Sequence, residues 1–274
     1  MAMFTHRLSK SRFVACVQCH KLLWWKVHEP DAVELQPDKV LQDRFDQGQA
    51  VGQLATTLFP GGLLIDLPHN AVEERISRTR EAIVGEVPAI FEASFLEHDT
   101  FVAVDILERV RDGYRLIEVK SSTSQRPEHI PDVAVQLHVL RAAGVDVTEA
   151  AVMHLNPDFR HPDVGDRFCA TDVTTEAQEY EERVGKELDD QMEALRGSLP
   201  DVRIGAHCHE PRACPFLGGA GPRIETTSPS STTWDPRRPP CTWMAGSTGS
   251  PTSRLRSGCL TRRGGRCGHC GKGR

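Results

Sequence analysis

The chain has 274 residues, 39% of them hydrophobic and 26% charged, which is the composition of a globular protein, and no run of about 18 apolar residues suggests a membrane span. The net charge of −5 hides a split, because ten Lys/Arg face only two Asp/Glu from Leu217 onward while the preceding body is acidic. Bulk charge therefore neither supports nor excludes a nucleic-acid partner.

In chain order, residues 9–26 read as a short helix, with Ser9 or Ser11 as N-cap and Phe13, Val14, Val17, Leu22 and Trp25 at apolar positions. Residues 38–58 keep helical spacing through Val40, Leu41, Phe45, Val51, Leu54, Ala55 and Leu58, until Phe59-Pro60-Gly61-Gly62 stops it. A further helix is expected over residues 71–83. Three β-rich runs follow, at 89–95, 101–110 and 114–120, and Arg111-Asp112-Gly113 supplies a hairpin turn between the last two. Residues 130–143 read as a helix ended by Gly144, residues 149–155 as a returning strand, and residues 174–199 as a long exposed helix. This order predicts an α/β fold, a small central mixed sheet flanked by helices, over residues 1–216.

From Leu217 the pattern is lost. Gly, Pro, Ser, Thr and Arg supply 41 of the last 58 residues, a composition that cannot bury enough apolar surface to offset its ordering entropy. A disordered basic tail is the expectation. Three other readings stay open: half a zinc knuckle at Cys267 and Cys270, a nucleic-acid-binding arm, and out-of-frame translation. The opening MAMFTHRLSKSRF lacks the apolar stretch of a secretory signal, so a cytoplasmic location is expected. Nine cysteines there suggest a metal or iron–sulfur site, or buried packing, before disulfides.

Chemistry concentrates in the hairpin. Asp105 interrupts the apolar run that starts at Phe101, and Glu118 and Lys120 do the same in the next strand. Side chains two apart on a strand share a face, so Glu118 and Lys120 point the same way and the turn brings Asp105 beside them. Two carboxylates and a lysine in apolar strand interiors suit Mg²⁺ or Mn²⁺, hard cations that prefer oxygen ligands. Asp105, Glu118 and the carbonyl of Val119 are the expected ligands, with Lys120 orienting a water or stabilising developing charge. The bland alternative is a Glu118–Lys120 salt bridge with Asp105 as a solvated neighbour.

These residues resemble the signature of the PD-(D/E)xK nuclease superfamily, and more narrowly that of RecB-like exonucleases and their CRISPR-associated iron–sulfur relatives. The resemblance covers about residues 8–216. It implies a divalent-metal-dependent DNA nuclease, acting as an exonuclease on single strands or duplex ends, with Gln136 on the following helix as a further catalytic residue. Family members often carry a tyrosine one turn later, where Leu140 stands, and a histidine on an upstream helix, where no histidine occurs between His28 and His69. Glu92 is therefore a candidate for an additional metal ligand. The resemblance also implies a 4Fe–4S cluster held by Cys19, Cys208 and Cys214, with Cys16 or a histidine such as His207 as fourth ligand, because no cysteine follows Cys214-Pro215-Phe216 at the expected distance. Cys16 and Cys169 otherwise read as buried packing.

Two further readings compete with a DNA nuclease: a catalytically degenerate nucleic-acid-binding module, and a zinc-binding regulatory protein. Lys10, Arg126 and His129 are candidate phosphate contacts, and Trp24 and Trp25 are expected in the core. No membrane partner is expected, and protein partners are not specified.

Overall fold

A computed structural model of the chain describes residues 7–160 and 166–217. The chain divides into two units, Met1–Thr226 and Thr227–Arg274, and every described residue belongs to the first. The basic tail beyond Leu217, with Cys267 and Cys270, lies outside the described residues.

Seven strands form one mixed sheet among the described residues: β1 (Leu8–Ser9), β2 (Leu63–Leu64), β3 (Ala89–Glu97), β4 (Thr100–Val110), β5 (Gly113–Lys120), β6 (Val147–Leu155) and β7 (Phe168–Asp172). The order is β2-β3-β4-β5-β6-β7, with β1 also on β4. β3, β4 and β5 are antiparallel neighbours, and β6 runs parallel to β5 after a helical crossover. The expected α/β sheet flanked by helices is therefore present, with β1, β2 and β7 added. Those strands are short, two, two and five residues, and so show no alternation long enough to read in sequence.

The β4–β5 hairpin closes tightly, with Val110 opposite Gly113 and only Arg111 and Asp112 between them. Gly113 is required there: its φ is +144°, and a Cβ would lie 2.5 Å from the Asp146 carbonyl oxygen. Any side chain would push β5 off its parallel partner and move the functional residues at its far end.

Six α-helices among the described residues surround the sheet: α1 (Lys10–Gln18), α2 (His20–His28), α3 (Lys39–Thr56), α4 (Val72–Val84), α5 (Ile130–Ala142) and α6 (Thr174–Arg196). One face of the sheet, through Ile90, Val104, Leu107, Leu116 and Val152, packs on Val133, Leu137 and Leu140 of α5 and Ala82 of α4. The other face, through Phe91, Ile106, Ile117 and Met153, packs on Ala55 of α3. A second helical layer forms where Phe13, Cys16 and Leu23 of α1 and α2 meet Ala134 and Val135 of α5 and Tyr180, Val184, Leu188 and Leu195 of α6. α5 is thus sandwiched, which explains why it is apolar nearly all round: Pro131, Val133, Ala134, Val135, Gln136, Leu137, Val139 and Leu140 are all buried.

Three expectations change in detail. The single helix over 9–26 is two helices, because Cys19 is extended (φ −164°, ψ 122°) between them; the N-cap is Ser9, whose hydroxyl accepts the Arg12 N–H. The helix over 174–199 is not simply exposed. Ala177, Tyr180, Val184, Leu188, Gln191 and Leu195 recur every three or four residues and are buried. On α3 the opposite happens, since Val40, Leu41 and Phe45 are 60%, 38% and 52% exposed despite their helical spacing. No helix among the described residues is long and apolar enough to cross a membrane.

Candidate active site

The site lies where β4 and β5 part. Their ladder runs from Val110–Gly113 to Ile106–Ile117 and stops. β5 continues through Glu118, Val119 and Lys120 beside β6, while Thr100 and Phe101 of β4 take β1 as their partner. Asp105 and Glu118 are the first residues past the split. In place of a strand-to-strand backbone bond, the Val119 N–H donates to Asp105 Oδ2 at 2.7 Å. Glu118 shares the face of Leu116, two residues earlier, and so points under α5.

That direction makes Glu118 a buried carboxylate, only 2% exposed, and such a group must be paired or protonated. It is paired four times. Lys10 Nζ donates to Oε1 at 3.0 Å and to Oε2 at 2.9 Å. Lys120 Nζ donates to Oε1 at 2.7 Å and Gln136 Nε2 to Oε2 at 2.8 Å. Lys120 is also bound to Asp132 of α5, and Gln136 Nε2 also reaches the Asp132 carbonyl at 2.8 Å. Lys10 lies 4.0 Å from Asp105 Oδ1 and 3.9 Å from Asp132 Oδ1. Three carboxylates and two ammoniums therefore form one partly buried network.

The charges set one another's ionisation. Burial would raise the Glu118 pKa, but the Lys10 and Lys120 ammoniums outweigh it and hold the carboxyl well below the usual range. Asp105 goes the other way, pushed up to about 7 by burial and then by the Glu118 charge, against the pull of both lysines and the Val119 N–H. Burial alone would lower both lysines. For Lys120 it is overcome by Glu118 and then Asp132; for Lys10, by Glu118, Asp132 and Asp105. Both pKa values end above the ordinary one, so both lysines are protonated at neutral pH and act as donors. His129, buried at the start of α5, is lowered by burial and then by Lys120, so its imidazole is neutral at neutral pH.

Asp105, Glu118, Lys120 and Gln136 are thus brought together. Glu92 is not part of this network: its carboxylate accepts from Arg75 Nη2 at 3.2 Å. Glu92 has a left-handed φ of +59°, and Ile90 and Ala93, on either side of it, face the same core. Arg75, almost fully buried, braces this kink by donating also to Ser94 Oγ at 3.0 Å and to the Leu67 carbonyl at 2.6 Å. Of the candidate phosphate contacts, Lys10 is inside the network, and Arg126 is an exposed side chain 3.7 Å from Glu128. Leu140, where relatives of the resembled family carry tyrosine, is a core residue.

For two members, their place in the network escapes sequence reading. Asp132 lies one helical turn before Gln136, and that spacing was the available signal. Lys10 had no comparable signal, because it depends on the two-residue strand β1, which seats the first turn of α1 in the gap beside β4.

The cysteines form a second constellation. Gln18 Nε2, at the end of α1, donates to the carbonyls of His207 and Arg212 at 2.8 and 2.7 Å, holding the C-terminal loop against the Cys19 break. Cys214 N donates to the Cys208 carbonyl at 2.7 Å, and the Trp25 and Phe216 rings meet beside them with centroids 4.0 Å apart and planes tilted by 41°. Cys19 is raised by burial and feels both Cys214 and Cys208; Cys214, also raised by burial, feels Cys208. His207 Nε2 lies 3.4 Å from Cys208 Sγ. Cys16 is buried in the α1–α5–α6 core instead. At neither constellation do three or more His, Cys, Asp or Glu side chains already surround a common ion position among the described residues.

No protein-family model matches the chain, and no curated protein matches it. Among solved structures, the protein SSO0001 is similar over 77% of this chain and 84% of its own, at 12% identity and a TM-score of 0.36. The alkaline exonuclease LHK-Exo from Laribacter hongkongensis is similar over 70% of this chain and 92% of its own, at 13% identity and a TM-score of 0.28. Both likenesses are too loose to indicate what this chain does.

Proposed function

We propose that the chain is a divalent-metal-dependent nuclease of the PD-(D/E)xK type, hydrolysing DNA phosphodiester bonds as an exonuclease on single strands or duplex ends. The observation that carries this reading is the convergence of Lys120, Gln136 and a second lysine on buried Glu118, beside Asp105, at the point where two strands separate. A solvated surface salt bridge, the plainer reading of the same motif, does not require a carboxylate that is 2% exposed or a glutamine under it.

The donor set fits a hard divalent cation in its chemistry. Asp105, Glu118 and the Val119 carbonyl would hold Mg²⁺ or Mn²⁺, and Gln136 Oε1 is a buried acceptor with no donor among the described residues, suited to a water. When bound, such an ion lowers the pKa of a coordinated water and offsets charge on the phosphate. The chain's own groups do the rest. Lys120, protonated and anchored to Asp132, donates a hydrogen bond to the attacking water or to a phosphate oxygen. Gln136 fixes the rotamer of Glu118, and Asp132 fixes both Lys120 and Gln136. Glu92 is a further candidate ligand, with Arg75 on one of its two carboxylate oxygens.

At the other constellation we propose that Cys19, Cys208 and Cys214 hold a 4Fe–4S cluster as a structural staple, with His207 as the candidate fourth ligand. Three thiols and one imidazole fit such a cluster only in part. Iron and acid-labile sulfide in anaerobically purified protein, lost together in Cys19→Ser, are the expected result.

A second reading, a binding module without catalysis, is favoured by one observation: every lone pair of Glu118 is already engaged by a nitrogen donor. Labelled single-stranded and duplex DNA incubated with Mn²⁺, Mg²⁺ or EDTA separates the two. Metal-dependent shortening that Glu118→Gln abolishes supports the nuclease; intact DNA under every condition, still bound by folded protein, supports the module.

A further inference from the structure

We propose that Lys10 is a resident cation of this site, and that its ammonium must leave Glu118 for a divalent ion to bind. The inference rests on the nuclease reading above and adds a residue and an exchange step to it.

The case is one of capacity. An ionised carboxylate offers about four lone-pair sites, and Glu118 has four donors in place, two from Lys10 and one each from Lys120 and Gln136. A metal ligand needs one of those lone pairs, so a donor must withdraw. Lys120 and Gln136 are anchored a second time, to the Asp132 carboxylate and carbonyl. The Lys10 ammonium has no hydrogen bond besides those to Glu118 among the described residues. It also lies within 4.0 Å of all three acids, 4.0 Å from Asp105 Oδ1 and 3.9 Å from Asp132 Oδ1 besides its contacts with Glu118. A divalent ion bound by Asp105 and Glu118 would compete for that place, and like charges at contact distance repel strongly in a partly buried site. Lys10 can withdraw because it is the first residue of α1, on a flexible four-carbon stem that keeps 21% of its side chain exposed.

In the absence of metal the same ammonium keeps the buried Glu118 paired, so the site stays assembled until an ion replaces it. The tether is structural, because β1 pairs with β4 and places Lys10 directly after it.

Calorimetric titration of the full chain with Mn²⁺ tests the exchange in wild type, Lys10→Met and Lys10→Arg, each first shown to be folded by its thermal transition. Lys10→Met is expected to bind Mn²⁺ at least about tenfold more tightly than wild type, and Lys10→Arg no more tightly. Acylation of wild-type lysines, mapped by mass spectrometry, needs no variant: Lys10 should be slow to react without metal and become faster at saturating Mn²⁺. Equal Mn²⁺ affinity in wild type and Lys10→Met, or Lys10 labelling unchanged by saturating metal, overturns the exchange and leaves the nuclease reading standing. No Mn²⁺ binding by any of the three overturns both.

Discussion

Glu118 and Asp105 sit side by side and titrate in opposite directions, and each direction predicts a measurement. Glu118 neutralises two partly buried lysines, so Glu118→Ala leaves them facing only Asp105 and Asp132. Breaking a buried charge network by deleting its central member costs roughly 3–5 kcal/mol, and denaturant unfolding of the metal-free protein should show a loss on that scale. Asp105, pushed up to about 7, costs stability when it ionises. Its contribution is fully present below the pKa of the unfolded chain and is lost as pH rises through about 7. Asp105→Asn escapes that loss and keeps an acceptor for the Val119 N–H. The metal-free variant is therefore expected to be more stable than wild type by roughly 1–3 kcal/mol above neutral pH, with the gain vanishing near pH 4. Equal stability of the two proteins across that range would contradict the assignment of Asp105 as the strained member. Asp105, Glu118 and Lys120 were legible in the sequence because a charge inside an apolar strand needs a reason, whereas Gln136, an uncharged residue on a helix, was singled out only through the family resemblance. Lys10 was legible only as a loose basic residue, since its partner lies 108 positions away.

Elements show why periodicity alone misleads about burial. α3 and α6 both carry apolar residues at helical spacing, yet α6 packs on α5 while the first half of α3 faces outward. Leu188→Ala on α6 should cost roughly 2–5 kcal/mol, the range for emptying a core site. Phe45→Ala on α3 should stay within about 0.5 kcal/mol, as for an exposed position. Paired chemical denaturation of the two variants checks the contrast. The hairpin and α5 were readable because their strands are long, the turn residues are specific and Gly144 ends the helix with a φ of +81°. The break at Cys19 was not, because no Gly or Pro marks it and the Gln18 bonds beside it go to His207 and Arg212, far along the chain.

At the scale of the whole molecule, β1 and α1 connect the two constellations. Lys10 opens α1 in the carboxylate network, and Gln18 closes it against the cysteine loop. Gln18→Ala removes two of that loop's ties and is expected to speed hydrogen exchange across residues 206–214, leaving β4 and β5 protected. The β1–β4 connection was invisible in sequence, which orders elements but does not say that β1 returns to β4 rather than to a nearer strand.

The central claim is that Asp105, Glu118 and Lys120 form one hydrolytic site, and the most direct measurement is single-turnover cleavage of end-labelled DNA at saturating Mn²⁺ by wild type and Lys120→Ala. Wild type is expected to cleave, and Lys120→Ala to be slower by roughly 10²–10³ with unchanged affinity for the DNA. Equal rates in the two proteins, or a folded wild type that binds DNA and cleaves none with any divalent ion, would contradict it.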